Sequence, residues 1–104
     1  KIKGTIDILD IQYGNIWTNI PAEMFNELHV SIGDRLLVKI FKNNMKKYES
    51  IMPYTETFGA VAKGKPLAYL NSLLKVSFAL NQGNFSVVNR VYSGSEWTVE
   101  IERK

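Results

Sequence analysis

The residues best suited to chemistry crowd into one stretch, DIQYGNIWTNI, residues 10 to 20. Asp10 is a carboxylate at the end of an apolar run, where it could accept from a ligand ammonium. Tyr13 and Trp17 offer aromatic faces to a flat heterocycle, and such stacking is worth roughly 1–3 kcal/mol per base. Asn15 carries donor and acceptor on one amide, as the edge of an adenine ring requires. Gly14 and Asn15 would also serve a plain hairpin bend. A bend alone does not call for Asp10, Tyr13, Trp17 and Asn19. Two later segments have the same character. FGAVAKGKPLAYLNS begins with Phe58 and ends in Asn71 and Ser72, and FALNQGNF brings Asn81, Gln82, Gly83 and Asn84. Each is weak alone, because Asn-Gly and Gly-Asn pairs ordinarily make turns.

Other chemistries are poorly served. The chain has no cysteine, which excludes disulfides, thiolate metal sites and thiol nucleophiles and fits a cytoplasmic location. Its one histidine, His29, lacks the orienting partner that a base needs, so a structural or surface role is expected. No HExxH, phosphate-binding loop or GxSxG pattern occurs, and neither a catalytic residue nor a metal-ligand set is assigned. Asp7 and Asp10 lie inside an apolar strand, and a buried acid needs a partner. Asp7 would cap a turn or pair with a lysine. Thirteen basic against ten acidic residues give a net charge of +3, a weak bias. The KNNMKK segment, residues 42 to 47, reads as a solvated hairpin tip rather than a phosphate site. No apolar run approaches the roughly 18–20 residues of a membrane span, and no signal peptide is visible. The first residue is Lys1, as expected of a piece of a longer chain.

The elements that must position these residues show a period of two. The length of 104 residues fits one domain. A strand is predicted over 3–11, with Ile6, Ile8 and Asp10 on one face and Thr5, Asp7, Leu9 and Ile11 on the other. A second strand covers 15–20. A short helix over 21–28 has Pro21 in its first turn and Met24, Phe25 and Leu28 toward the core. After a turn at 31–34, RLLVKIF and KKYESIM form a hairpin around the KNNM tip, and Pro53 ends it. Residues 54–66 form an irregular connection with a turn at 63–66. Strands at 67–72 and 75–80, a glycine loop with one helical turn in 81–91, a turn at 93–96 and a strand at 97–104 complete the chain. Trp97, Val99 and Ile101 share a face of the last. Short strands at this spacing predict an all-β fold, a small closed or partly open antiparallel β-barrel with one or two short helical turns.

The order IDxLDxQYGNIWTNI, FxxVxxGxPLxYLNS, ALNQGNF resembles the C-terminal domain of the S-adenosylmethionine (SAM) hydroxide adenosyltransferase family, which includes fluorinating and chlorinating enzymes. The resemblance runs from about Gly4 to the final strand, and D-x-x-[FY]-G-N-x-x-T-N, from Asp10 to Asn19, is its most specific block. It implies that residues 1–104 are a single C-terminal β-barrel domain, and that a catalytic N-terminal α/β domain lies outside this chain. It implies a homotrimer, with SAM or adenosine held between the N-terminal α/β domain of one subunit and the C-terminal domain of its neighbour. By the same resemblance, Asp10 meets the methionine ammonium, Ser72 its carboxylate and Asn15 the adenine edge. Tyr13, Trp17 and Phe58 line the adenine and ribose side, and the backbone near Asn81 and Gln82 also meets the adenine. The implied parent hydrolyses SAM to adenosine and L-methionine without metal or redox cofactor. The water-activating groups belong to the absent domain, so this chain alone would be inactive. Tyr13 departs from the usual phenylalanine. Leu73 and Leu74 follow Ser72, where halogenating members carry an arginine and many hydrolytic members a glycine. Loss of a bidentate arginine argues against halogenation. Two other readings are an oligomerisation domain and a small barrel for single-stranded nucleic acid. The aromatics do not interleave with Lys or Arg, so no nucleic-acid partner is expected, and with no apolar run long enough to span a bilayer no membrane partner is expected either.

Overall fold

A computed structural model describes residues 1–10 and 12–104. Ile11, expected to share a face with Thr5, Asp7 and Leu9, lies outside the described residues. The strands are β1 (Ile2–Leu9), β2 (Ile16–Pro21), β3 (Arg35–Lys42), β4 (Met45–Pro53), β5 (Pro66–Leu70), β6 (Lys75–Leu80) and β7 (Gly94–Arg103). The helices are α1 (Ala22–Phe25), which continues as a 3₁₀ turn over Asn26–Leu28, and α2 (Phe85–Asn89). A further 3₁₀ turn covers Phe58–Ala60.

The strands form one antiparallel sheet in the order β4-β3-β7-β1-β2-β6-β5. Its two edges meet just past β4. There Tyr54 bridges to Ala68 of β5, and the Thr55 N–H donates to the Ala68 carbonyl at 2.9 Å. The sheet thereby curls into a nearly closed barrel, as the sequence pattern predicts, and covers edges that would otherwise stay unpaired. No described helix is long and apolar enough to cross a membrane.

Period-two alternation fills the barrel. Leu36, Val38 and Ile40 of β3 and Trp97, Val99 and Ile101 of β7 all point inward and are buried. The β3–β4 hairpin closes on two residues, Asn43 and Asn44, both at positive φ (51° and 66°). This matches the right-handed twist of the flanking strands, and asparagine tolerates the left-handed region.

Local hydrogen bonding overrides the pattern in several places. In β1 the ladder slips between Ile6 and Ile8 against β2, and between Thr5 and Ile6 against β7. A bulge shifts the parity of the residues beyond it. Ile6 is therefore fully buried while Ile8, expected on the same face, is 46% exposed. Asp7 is exposed rather than buried and accepts from the Thr5 hydroxyl at 2.8 Å. The expected turn at 93–96 is instead mostly strand. Gly94 pairs with Ile6 at the second slip, with a φ of 129° that a side chain would resist. Pro21 ends β2 and precedes α1 as its N-cap, one position before the expected first turn. Asn71 and Ser72 fall outside β5, in the turn after it. His29 is exposed and ends the first 3₁₀ turn at φ 55°, in keeping with a structural or surface role.

Candidate functional site

The site begins on the outside of the barrel. In β6, Val76, Phe78 and Leu80 belong to the core, yet Ser77 and Ala79 between them are fully buried as well. Both faces of this strand are covered. Registers place Trp17 of β2 opposite Ser77, and Ser77 opposite Tyr69 of β5. Directly paired antiparallel residues share a face, so Trp17, Ser77 and Tyr69 form a row across the outer surface, with the small serine between two large rings. The connection after β4 lies over this surface. The Asn81 amide donates to the Val61 carbonyl at 2.9 Å. The Gly64 N–H donates to the Asn81 carbonyl at 2.7 Å and the Asn81 N–H to the Lys65 carbonyl at 3.0 Å. Phe58 and Tyr69 then pack edge to face, with ring centroids 5.1 Å apart.

The loop between β1 and β2 supplies the other wall. Asp10 closes it three ways. Its carbonyl accepts from the Gly14 N–H at 2.6 Å, and its own N–H donates to the Asn15 carbonyl at 2.9 Å. Its carboxylate accepts from the Gln12 N–H at 3.1 Å. Gly14 holds a φ of 73°, and a Cβ there would collide with the Asn84 side chain. That collision identifies why glycine is needed, because Asn84 caps α2 by accepting from the Val87 N–H at 2.9 Å. The Gly14 carbonyl accepts from the Ser86 N–H at 3.0 Å, which locks α2 against the loop.

Between these walls lies a half-open cleft of about 670 Å³, lined by Asp10, Gln12, Tyr13, Asn15, Phe58, Leu80 and residues 81–84. That volume suits a small organic ligand. Asp10 is the one charged residue among the lining residues. Tyr13 is 57% exposed, and its hydroxyl accepts from the Gln12 side-chain amide at 2.9 Å.

Asn15 is 4% exposed. Its Nδ2 donates to the Tyr69 hydroxyl at 3.1 Å and toward Asp10 Oδ2 at 3.4 Å. An ionised carboxylate can only accept, so this neighbourhood fixes which end of the amide carries nitrogen. Its Oδ1 is buried without a donor. Among the described residues, the Trp17 indole nitrogen is the other buried side-chain polar atom without a partner. It lies close to the Tyr69 hydroxyl but falls short of hydrogen-bonding geometry. Burial pushes the Tyr69 phenol above its ordinary value and the Asp10 charge adds to the rise, while the hydrogen bond from Asn15 opposes it. Tyr69 therefore keeps its proton at neutral pH.

Six of the eight residues singled out in the sequence meet at the cleft, namely Asp10, Tyr13, Asn15, Phe58, Asn81 and Gln82. Trp17 pairs with Ser77 in the outer row and does not line the cleft. Ser72 is exposed in the β5–β6 turn and is not part of the lining. Its neighbour Asn71 is buried and ties that turn, accepting from the Leu73 N–H at 2.8 Å and donating to Ser77 at 2.9 Å. Asn19 also has a structural use, accepting from the Thr5 N–H at 2.9 Å across β1 and β2. Tyr69 is not among the residues that the sequence singles out. An aromatic residue within a strand carries no such signal by itself.

The sequence model of a family described as the SAM hydroxide adenosyltransferase C-terminal domain matches residues 4–98. The chain belongs to that family. Solved structures agree with the fold. An uncharacterized conserved protein from Thermotoga maritima is 30% identical, with a TM-score of 0.79 over 97% of this chain and 35% of that one. A conserved hypothetical protein from Thermus thermophilus is 23% identical, with a TM-score of 0.62 over 95% of this chain and 34% of that one. The chain thus spans about a third of the length of these proteins. As a SAM hydroxide adenosyltransferase C-terminal domain, it has its cleft on the barrel's outer face, bounded by the β1–β2 loop, the 3₁₀ turn at Phe58 and the segment after β6.

Proposed function

We propose that this domain is the substrate-recognition part of a SAM hydrolase that converts SAM and water to adenosine and L-methionine. The observation that carries the reading is the Asn15 amide, buried beside the cleft with its nitrogen engaged and its oxygen unpaired. A buried polar atom without a partner costs about 1–3 kcal/mol, and a purine amine approaching Oδ1 would relieve that. Tyr13 and Phe58 offer ring faces for the base. Asp10 keeps acceptor capacity beyond its two internal bonds and suits a ligand ammonium. A cleft whose one charged lining residue is acidic also favours a nucleoside or a zwitterion over a nucleic-acid strand, whose affinity comes from Lys and Arg on phosphates.

In the proposed reaction a water oxygen bonds to the ribose 5′ carbon as the carbon–sulfur bond breaks. The sulfonium leaves as neutral methionine thioether, and the water proton passes to a base. That base would come from an N-terminal α/β domain of a neighbouring subunit in a homotrimer, which completes the site over this cleft. The contribution of the present chain is positioning, which can supply several kcal/mol, up to roughly 7–11 in ideal cases. No cofactor is required, because a sulfonium is already a good leaving group.

The test is chromatographic analysis of the full-length protein incubated with SAM, with and without chloride. Equal amounts of adenosine and methionine are expected in both. A 5′-chloro nucleoside would move the parent to the halogenating members despite Leu73. Absence of any product from folded protein would overturn the reading.

A further inference from the structure

We propose that the turn carrying Leu73 and Leu74, at the end of the barrel remote from the cleft, is where the preceding domain of the same chain docks. This rests on the proposed function in one respect, that the cleft itself is left to a neighbouring subunit. The family is a C-terminal domain, and the chain spans about a third of its solved relatives, which places the bulk of the parent ahead of Lys1. The eight residues of β1 separate Lys1 from the cleft loop. That is about 25 Å at the rise of a strand, close to the full extent of a molecule measuring 30 × 29 × 24 Å. β6 likewise runs from the leucine turn to the cleft segment after Leu80. Pro21 of β2 pairs with Lys75, and the Ala22 N–H donates to the Leu74 carbonyl at 3.0 Å. Gly4 of β1 lies against Ile20 of β2. The turn therefore shares the end of the barrel at which Lys1 sits, and a domain joined there meets the turn before it can reach the cleft.

Within the domain, two leucines in this turn are unfavourable on two counts. Leu73 and Leu74 are 60% and 61% exposed. Leu74 also holds a φ of 59°, a left-handed conformation that disfavours a side chain with no local hydrogen bond to offer. The other described non-glycine residues at positive φ are all polar, and glycine or asparagine would suit the turn better. The turn is nonetheless rigid. The Asn71 side-chain oxygen accepts from the Leu73 N–H at 2.8 Å and the Lys75 N–H at 3.2 Å, and the Asn71 carbonyl accepts from the Leu74 N–H at 2.9 Å. Leucines held out against both local preference and water point to a contact beyond the domain, and a rigid turn loses little freedom on making it. The sheet on the other side of β1 offers no such surface. There Lys3, Glu100, Lys39 and Glu49 stand in register across four strands, a row of alternating charge that suits water.

The test uses the full-length protein without substrate, so that docking and the hydrolase reading fail separately. Leu73→p-benzoylphenylalanine is illuminated and run on a denaturing gel, and the linked peptides are identified by mass spectrometry. The expected product joins the substituted turn to a peptide preceding Lys1 and migrates as one chain. A product of twice the mass gives the turn to a second copy and overturns the proposal. So does the absence of any link between protein segments, which leaves the turn in solvent. Should that variant misfold, Leu73→Ser with Leu74→Asn keeps the turn, because asparagine tolerates the left-handed region. Limited proteolysis at the junction ahead of Lys1 is then expected to run about tenfold faster than in the parent protein, as the two domains separate. An unchanged rate overturns the proposal.

Discussion

Gly14→Ala should be far more damaging than an ordinary glycine substitution, and the reason can be separated experimentally into two parts. At φ 73° any L-residue is disfavoured, by roughly 1–2 kcal/mol. The new Cβ also strikes the Asn84 side chain, which caps α2 through Val87, and displacing an N-cap costs typically about 1 kcal/mol. The expected loss is therefore about 2–3 kcal/mol. Gly33 supplies the control. It too sits at positive φ, 94°, but nothing lies within 4 Å of its would-be Cβ. Gly33→Ala should show the backbone cost alone. Urea unfolding of both variants beside the parent gives the two values. The larger loss at Gly14 should bring weaker adenosine binding with it, since Asn84 lines the cleft. If Gly14→Ala is no worse than Gly33→Ala, the coupling between the β1–β2 loop and α2 is not what makes glycine necessary there.

Two other outcomes can be checked directly. Asn15→Ala in the full-length protein should weaken adenosine binding by roughly 1–3 kcal/mol, the range for removing a buried hydrogen-bonding group; calorimetric titration measures it, and unchanged affinity removes Asn15 from the site. Tyr48 has its phenol raised by burial, with its hydrogen bond to Ser50 opposing the rise. A raised folded-state value means the stability it contributes is complete below about pH 10, the ordinary phenol range, and is lost as pH climbs through the folded value. Unfolding free energy should therefore fall between about pH 8 and about pH 10.5, and Tyr48→Phe should make that fall shallower, as urea titrations at the two values would reveal.

What the sequence reveals of this fold depends on whether one face of a strand meets water. β7 alternates cleanly because its outer face is polar, and Trp97, Val99 and Ile101 are legible at once, whereas Leu37 and Phe41 on the outer face of β3 blur its alternation. β1 is less so, because bulges at Ile6 are set by partner strands that alternation does not encode. Alternation misplaces Ile8 and Asp7 for that reason. The site loop from Asp10 to Asn15 stands out because its residue types exceed what a turn needs. Tyr69 does not, since an aromatic within a strand is ordinary, and only the registers that line it up with Ser77 and Trp17 give it a role. Ser72 comes after Asn71, whose hydrogen bonds make that segment a turn rather than a strand end.

The strand order has a consequence for synthesis. β7 comes last in sequence among the strands of the barrel, yet it lies in the sheet between β3 and β1. Until it pairs, the β3–β4 ribbon is joined to the rest of the barrel chiefly through the Tyr54 bridge to Ala68. A nascent chain leaving the ribosome can form the β3–β4 hairpin early, because its contacts are local. It cannot join its two halves into one sheet until Glu100 and Ile101 have emerged to pair with Lys3 and Ile2. The barrel is thus completed after translation of its final strand, and a chain that stalls before β7 leaves the facing edges of β1 and β3 unpaired, the kind of surface on which aggregation begins.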